Sequence, residues 1–300
     1  MRLLKTVGSM IEIMRPRQWV KNTVVGIGVF FALMDSKQNL DVSHAVVSTV
    51  ITFVLFCMIS SAVYVMNDLH DVNSDRVHPK KRNRPLAAGR LTPFLAGVEC
   101  LVLLSLSVGL SWAFNRNVAI CACAYFVMQV VYTHLLKNMV LMDVMILTIG
   151  FMIRVYSGTI PVSIKVSSWM LVCAFMAILF VALCKRRAEK HTLGDKAEKH
   201  RKVLKHYSVS FLDQVISATG AATIVCYSIY TLAPETVNKF GTERMMATIP
   251  FVVFGIYRYM YLTMCKNDGG SPEKIFTKDI PMILNVGLYI GACVLILKVL

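Results

Sequence analysis

The sequence is poor in charge and lacks the cysteine patterns that mark zinc or disulfide sites. Only 16% of its 300 residues are charged, whereas a soluble domain usually carries about a quarter. Most of the nine cysteines lie inside apolar runs, and the CxC of Cys121 and Cys123 matches no metal or disulfide spacing. No small-residue cleavage site follows the basic first 22 residues. We therefore predict a retained first span and not a signal peptide.

What the chain has instead is a series of long apolar runs. Hydrophobic residues make up 56% of the sequence, and the mean hydropathy is +0.60. Runs that can cross roughly 30 Å of hydrocarbon predict an all-α, polytopic membrane protein, with residues 1–300 in a single domain. The nine candidate spans lie near 20–34, 44–66, 94–113, 117–136, 139–160, 168–184, 212–232, 246–265 and 281–298.

Lysines and arginines are distributed unevenly between the loops. If the N-terminus is cytoplasmic, loops on that side carry 24 of these residues and the opposite loops carry 6. Because basic loops stay inside, we predict a cytoplasmic N-terminus. The long polar loops near 67–93 and 185–210 then face the cytoplasm, where we expect the function to reside. Topology, anionic lipids and phosphates explain the net charge of +15 better than nucleic acid does.

Residues 66–89, MNDLHDVNSDRVHPKKRNRPLAAG, begin with an acidic half. Asp68, Asp71 and Asp75 are spaced three and four residues apart, which puts them on one face of a helix. Asn67 lies four residues before Asp71 and joins this face. Like charges so placed repel one another unless a cation lies among them. Hard oxygen ligands favour Mg²⁺, which bridges carboxylates and substrate phosphates, whereas the alternative is a solvated polar helix end.

The second half of the stretch is basic. Placed directly behind a metal site, its cations can hold the phosphate oxygens that the metal leaves free, although part of the run is also a positive-inside signal. The candidate phosphate ligands are Arg76, Lys80, Lys81 and Arg84.

Two further clusters carry buried or grouped charge. Arg154 lies near mid-depth of the fifth predicted span, where an arginine marks a cavity or an anionic partner. Asp143 is eleven residues earlier on the same helix, too far to pair with it, which favours a ligand. Tyr132 and Lys137 precede this helix. The stretch CKRRAEK at 184–190 ends the sixth predicted span with Lys185, Arg186 and Arg187.

These stretches together resemble a known family. NDLHDVNSDRVHPKKRNRPLAAG is similar to the first aspartate-rich motif, NDxxDxxxD, of the UbiA superfamily of intramembrane prenyltransferases. The resemblance is strongest to its decaprenyl-phosphate phosphoribosyltransferase branch and covers nearly the whole chain. It extends over MRPRQWVKN at 14–22, the 132–137 stretch, DVMILTIGFMIRVYSG at 143–158, CKRRAEK, GIYRYMYL at 255–262 and GGSPEKIFTKD at 269–279.

The resemblance implies a fold and a reaction. The fold is nine helices around a central cavity in the inner membrane of a bacterium. The reaction moves the 5-phosphoribosyl group of phosphoribosyl diphosphate to a polyprenyl phosphate such as decaprenyl phosphate, releases diphosphate and supplies cell-envelope polysaccharide precursors. Mg²⁺ is the implied cofactor. The resemblance does not decide between a monomer and a homo-oligomer. The alternatives are a prenyltransferase acting on an aromatic acceptor and a non-enzymatic transporter or lipid scaffold.

The chain departs from the aromatic prenyltransferases at one place. Their second acidic motif, DxxxD, is expected where this chain reads KRRAE, and cations there suit two phosphorylated substrates. The resemblance assigns the metal to Asn67, Asp68, Asp71 and Asp75, and catalysis to these aspartates with Lys81. Further contacts to phosphoribosyl diphosphate are expected from Lys21, Tyr64, Lys80, Arg84 and Arg154. The lipid phosphate is assigned to Lys137 with Lys185, Arg186 or Arg187.

Overall fold

The computed structural model describes residues 2–33, 41–77, 81–164, 166–193 and 202–298, and within these residues it contains helices and no strands. The α-helices are α1 (Arg2–Ile13), α2 (Ile27–Leu33), α3 (Val42–Arg76), α4 (Pro93–Phe114), α5 (Arg116–His134), α6 (Met142–Thr159), α7 (Ser168–Leu193), α8 (Val209–Leu232), α9 (Pro234–Phe240), α10 (Ile249–Met264), α11 (Pro272–Lys278) and α12 (Ile280–Lys298). Short 3-10 helices lie at Pro16–Gly26, Lys81–Asn83, Leu136–Asn138, Lys202–His206 and Arg244–Thr248. The predicted all-α fold is confirmed.

Eight segments of the described chain are long and apolar enough to cross a membrane. They are α3 to α8, the segment Arg244–Met264 that ends in α10, and α12. Each overlaps one predicted span, from the second to the ninth. The first predicted span, at 20–34, coincides in the described residues with the end of a 3-10 helix and the seven-residue α2. The prediction of a multi-pass membrane protein is therefore confirmed, whereas the count of nine spans is not.

Helix α4 illustrates the membrane character of these spans. Ser107 and Ser111 are fully buried, whereas Leu106 and Leu110 are 48% and 52% exposed. The Ser107 hydroxyl donates to the backbone oxygen of Leu55 in α3, at 3.1 Å. A helix in water would bury its leucines and expose its serines. The reversed arrangement suits lipid surroundings, where small polar residues mediate contacts between helices.

Helix α3 carries the predicted acidic face. It is capped by Asp41, the residue before its first turn, whose side chain accepts hydrogen bonds from the backbone N–H groups of Ser43 and His44 at 2.9 and 3.2 Å. Neither glycine nor proline interrupts its 35 residues. At 1.5 Å per residue the helix is about 52 Å long, well beyond the roughly 30 Å of a hydrocarbon core. Its last turns are therefore available to carry charged groups outside the apolar layer.

The first of two compact units comprises Met1–Val29, Leu40–His134 and Ile153–Ile164. Phe56 and Tyr125 lie in its core, where α3 and α5 meet. The end of α6 approaches the 3-10 helix Pro16–Gly26 so closely that a Cβ on Gly158 would lie 2.0 Å from the carbonyl oxygen of Val25. Any larger side chain at position 158 would clash with this backbone, so glycine is required there.

The second compact unit comprises Phe30–Asn39, Leu135–Met152 and Lys165–Leu300. Its core is formed by α7, α8 and α10, with Phe180, Leu212 and Ile216 almost fully buried. The Phe180 and Tyr259 rings pack at an interplanar angle of 66°, with their centres 5.6 Å apart. Helix α6 contributes its first eleven residues to this unit and the rest to the first unit.

Candidate functional site

The acidic face at the end of α3 is present in the structure as a helical face. Asn67, Asp68, Asp71 and Asp75 all lie within the unbroken helix. Asp68 and Asp75 are buried, each 2% exposed, whereas the Asp71 side chain is 31% exposed. Two carboxylates are therefore enclosed by protein, and the third stands between them at the surface.

Three cations from the same unit reach the enclosed carboxylates. Arg84 Nη1 lies 3.1 Å from Asp68 Oδ1 and 2.5 Å from Asp75 Oδ2, so one guanidinium joins both aspartates. Lys81 Nζ lies 3.8 Å from Asp75 Oδ1. Arg15 donates to Asp68 Oδ1. Buried charges need such partners, because removing a carboxylate from water is costly unless it is paired.

Arg15 was not among the residues predicted from the sequence. Its backbone is left-handed, with φ 54° and ψ 61°, at the junction between α1 and the first 3-10 helix. Its guanidinium also lies 5.1 Å from the centre of the Tyr64 ring. Ser61 of α3 holds the junction, donating to the carbonyl oxygen of Met14 at 3.1 Å. Non-glycine residues rarely adopt this conformation, and such strain often accompanies functional sites.

The remaining members of the acidic face have polar neighbours. Asn67 Oδ1 accepts a hydrogen bond from the Thr133 hydroxyl at 2.6 Å. Asp71 Oδ1 lies 2.8 Å from His70 Nδ1. The His70 and His134 rings are nearly perpendicular, with their centres 4.7 Å apart. The predicted ligand Arg76 is exposed on the last turn of α3.

The oxygen donors fit Mg²⁺ by their chemistry, since carboxylates and amides are the ligands that a hard cation prefers. In the part of the chain that the structure describes, no three histidine, cysteine, aspartate or glutamate side chains are close enough together to hold a metal. Arginines contact Asp68 and Asp75 instead. The oxygen ligands are of a suitable type for Mg²⁺. A bound metal would have to share the carboxylates of Asp68 and Asp75 with the guanidinium groups of Arg15 and Arg84.

Arg154 is buried in the first unit, 5% exposed. Its Nε donates to Asn22 Oδ1 and its Nη2 to the Tyr125 hydroxyl, both at 2.7 Å. The guanidinium carbon also lies 4.5 Å from the centre of the Tyr125 ring. Asn22 is held in turn, donating to the Ser60 hydroxyl at 3.1 Å. Asn22 and Tyr125 are uncharged side chains, and their hydrogen bonds orient the Arg154 guanidinium.

Arg186 belongs to a buried network in the second unit. Its Nε donates to Asp143 Oδ2 at 2.7 Å, and Nη1 bonds Glu189. The Tyr207 hydroxyl donates to Asp143 Oδ1 at 2.7 Å and accepts from the backbone N–H of Leu141. Burial and the bond to Asp143 raise the pKa of Tyr207 above its ordinary value. Asp143 thus pairs with Arg186 of α7 within the second unit.

Arg187 ties α7 to two other helices of the second unit. Its Nε lies 3.0 Å from Asp213 Oδ1 of α8, and its Nη1 donates to the Thr263 carbonyl oxygen at 2.8 Å. Nη1 also donates to Asn267 Oδ1 at 2.5 Å. Lys185, by contrast, is half-buried and makes no ion pair with the described residues.

The other predicted site residues are distributed over both units. In the first unit Tyr132 is buried, and Lys21 and Tyr64 are half-buried. In the second unit Lys137 lies half-buried in the 3-10 helix Leu136–Asn138. Lys80 lies outside the described residues.

The model of the UbiA prenyltransferase family matches residues 24–280. The chain belongs to this family. The decaprenyl-phosphate phosphoribosyltransferase of Mycolicibacterium smegmatis is 32% identical over 280 residues, covering 91% of this chain and 87% of that protein. The protein of the same name from Corynebacterium glutamicum is 34% identical over 276 residues, covering 90% of this chain and 81% of that one.

A solved structure shares this UbiA fold. The UbiA homolog from Archaeoglobus fulgidus, bound to DMAPP and Mg²⁺, aligns with a TM-score of 0.70 over 97% of this chain and 100% of that chain. Its sequence is only 19% identical. The likeness therefore confirms the UbiA-type fold predicted from the sequence and carries no residue roles by itself.

Proposed function

We propose that this UbiA family member transfers the 5-phosphoribosyl group of phosphoribosyl diphosphate to a polyprenyl phosphate such as decaprenyl phosphate. Two relatives that carry the name of this activity match about nine-tenths of the chain. One observation in the structure supports the proposal most. A buried pair of aspartates on α3 is contacted by arginines and a lysine from two other segments, which combines metal-type and phosphate-type ligands in one place.

The diphosphate of the donor is the group that this cluster suits. As the bond between ribose C1 and the diphosphate oxygen breaks, negative charge accumulates on the diphosphate. Arg84, Arg15 and Lys81 place positive charge where that oxygen departs, which stabilises the transition state. Asn67, Asp68, Asp71 and Asp75 would hold Mg²⁺. When bound, the metal would neutralise further charge on the leaving group.

The acceptor is an anion as well. A phosphate oxygen of the lipid forms the new bond to C1 while the diphosphate leaves with the bonding electrons. A polyprenyl phosphate is already ionised at neutral pH, so no strong general base is required. Of the cations predicted to bind it, Arg186 and Arg187 pair with Asp143 and Asp213, carboxylates outside the proposed metal site. We therefore assign its headgroup first to Lys185, which makes no ion pair with the described residues, and keep Lys137 as a second predicted contact.

The same residues argue against a prenyl diphosphate as donor to an aromatic ring. Where aromatic prenyltransferases are expected to have a second acidic motif, this chain has KRRAE at 185–189. Arg186 and Arg187 of this stretch form ion pairs with the carboxylates of Asp143 and Asp213. A second metal site at this place would have to form without those acidic ligands.

The proposal includes a location. The excess of basic residues in alternate loops supports a bacterial inner-membrane protein with its N-terminus and the α3 cluster on the cytoplasmic side. Phosphoribosyl diphosphate is a charged, soluble donor and would reach the cluster from that side. The polyprenyl tail would lie among the exposed apolar side chains of the spans.

A direct assay tests the proposal. Purified protein in detergent would be incubated with Mg²⁺, ribose-labelled phosphoribosyl diphosphate and decaprenyl phosphate. We expect label in the organic phase, with one diphosphate released per label transferred, and we expect chelation of the metal to stop the reaction. Absence of labelled lipid, together with transfer of a prenyl group from its diphosphate to an aromatic acceptor, would overturn the assignment.

A further inference from the structure

The segment 81–91 carries Lys81 and Arg84 to the acidic face, and it is compactly folded. The backbone N–H of Arg84 donates to the carbonyl oxygen of Lys81 at 2.9 Å. The N–H groups of Arg90 and Leu91 both donate to the carbonyl oxygen of Pro85, at 2.9 and 3.2 Å. These hydrogen bonds hold residues 81–91 together as one folded turn. A displacement of its Arg90 end is therefore expected to move the end that carries Lys81 and Arg84.

Arg90 connects this turn to α1. Its Nη1 and Nη2 donate to the two carboxylate oxygens of Glu12, at 2.6 and 2.9 Å. Nη2 also donates to the carbonyl oxygen of Asn83 at 2.7 Å. That carbonyl belongs to the peptide group that precedes Arg84. The guanidinium of Arg90 therefore fixes the orientation of the backbone from which Arg84 reaches the two aspartates.

The end of α1 contacts the acidic cluster by a second route. Ile13 packs with Leu86 and Leu91 of the turn in one buried apolar cluster. Arg15, only three residues after Glu12, donates to Asp68. A shift of α1 would thus move both arginines that bracket Asp68.

We infer that Glu12 and Arg90 are positioning residues, and that their ion pair sets the geometry with which Arg84 and Arg15 hold the donor diphosphate. This inference rests on the proposed function. The pair is about half exposed, with 46% and 49% of the two side chains accessible. Such a pair contributes little to global stability. A displacement of about 1 Å at a reacting centre, however, can reduce rate by about a hundredfold.

A double-mutant cycle tests the inference with the full-length protein. Glu12→Gln and Arg90→Gln should each raise KM for phosphoribosyl diphosphate, and its Kd measured by direct binding, by about tenfold. KM for the polyprenyl phosphate and the melting temperature should stay near wild type. Because the two residues act through one contact, the double variant should lose no more than Arg90→Gln alone. Arg90→Lys should recover part of the loss.

Arg82→Gln is the matched control, since Arg82 is exposed in the same turn and carries the same charge. If the turn needed only net positive charge, this control would weaken donor binding as much as Arg90→Gln and the inference would fail. Additive losses in the double variant, or equal rises of KM for both substrates, would also overturn it. A wild-type protein that transfers no ribose would instead overturn the proposed function.

Discussion

Asp68 and Asp71 are neighbours in the acidic face, yet the structure gives them different surroundings. Asp68 is buried between Arg15 and Arg84, whereas Asp71 is partly exposed beside His70. Both are proposed to bind the metal, so removing either should abolish turnover. Only the loss of Asp68 should also leave two arginines without their shared carboxylate.

We therefore expect Asp71→Ala to be inactive with its free energy of unfolding within about 0.5 kcal/mol of wild type. Asp68→Ala should be inactive and destabilised by about 1–3 kcal/mol, because Arg15 loses its carboxylate partner and Arg84 keeps only Asp75. Thermal unfolding in detergent, together with the transfer assay, checks both values. Asn73→Ala, on an exposed position of the same turn, should change neither quantity. Retained turnover in Asp71→Ala would remove Asp71 from the metal site.

Arg15 offers a test of backbone strain separate from chemistry. A left-handed conformation costs a non-glycine residue about 1–2 kcal/mol, and glycine avoids this cost. Arg15→Gly and Arg15→Ala both delete the guanidinium, so both should lose donor binding. The glycine variant should nevertheless be more stable than the alanine variant by about 1 kcal/mol. Equal melting temperatures would show that the left-handed backbone is not under strain.

At the scale of the elements, α7 carries two neighbouring cations with different surroundings. Arg187 joins α7 to α8 and to the end of α10, whereas Lys185 has no ion pair among the described residues. Helical geometry points consecutive residues in different directions, about 100° apart. One side of the helix is thus used for the fold, and the side that carries Lys185 is the one proposed to contact the lipid phosphate.

Arg187→Ala should therefore lower the free energy of unfolding by about 2 kcal/mol or more, because Asp213 and three other acceptors lose their donor. Lys185→Ala should leave stability unchanged and raise KM for the polyprenyl phosphate by about tenfold, the loss expected for one charged hydrogen bond. Both variants should be compared by thermal unfolding and by titration of the lipid substrate. A stable, fully active Arg187→Ala would contradict the assignment of Arg187 to the fold.

At the scale of the whole molecule, the first predicted span decides the topology. With a cytoplasmic N-terminus, nine spans put the C-terminus outside, and the eight recognised among the described residues would put it inside. The basic residues favour nine. We expect an alkaline phosphatase fused after residue 300 to be active in a bacterial host, and one fused after residue 90 to be inactive. With a cytoplasmic N-terminus, the reversed pattern at both points, active after residue 90 and inactive after residue 300, would show that the 16–33 region does not cross.

Much of this architecture follows from sequence. Eight predicted spans overlap eight apolar helical segments, because a long apolar run in lipid must satisfy its backbone hydrogen bonds internally and therefore becomes a helix. The first region differs because Pro16–Gly26 forms a 3-10 helix, pressed against Gly158 by contacts remote in sequence. Local hydropathy carries no information about such a contact.

The sequence by itself determined the membrane fold, the helical acidic face and the presence of cations close behind it, because periodicity and apolar length act locally along the chain. Only the tertiary structure decided which charges pair. It brought Arg15 to Asp68 over 53 residues and Arg186 to Asp143 over 43. It also gave Arg154 the neutral partners Asn22 and Tyr125. Charge pairing depends on distance and burial in space, and neither quantity is written in the order of the residues.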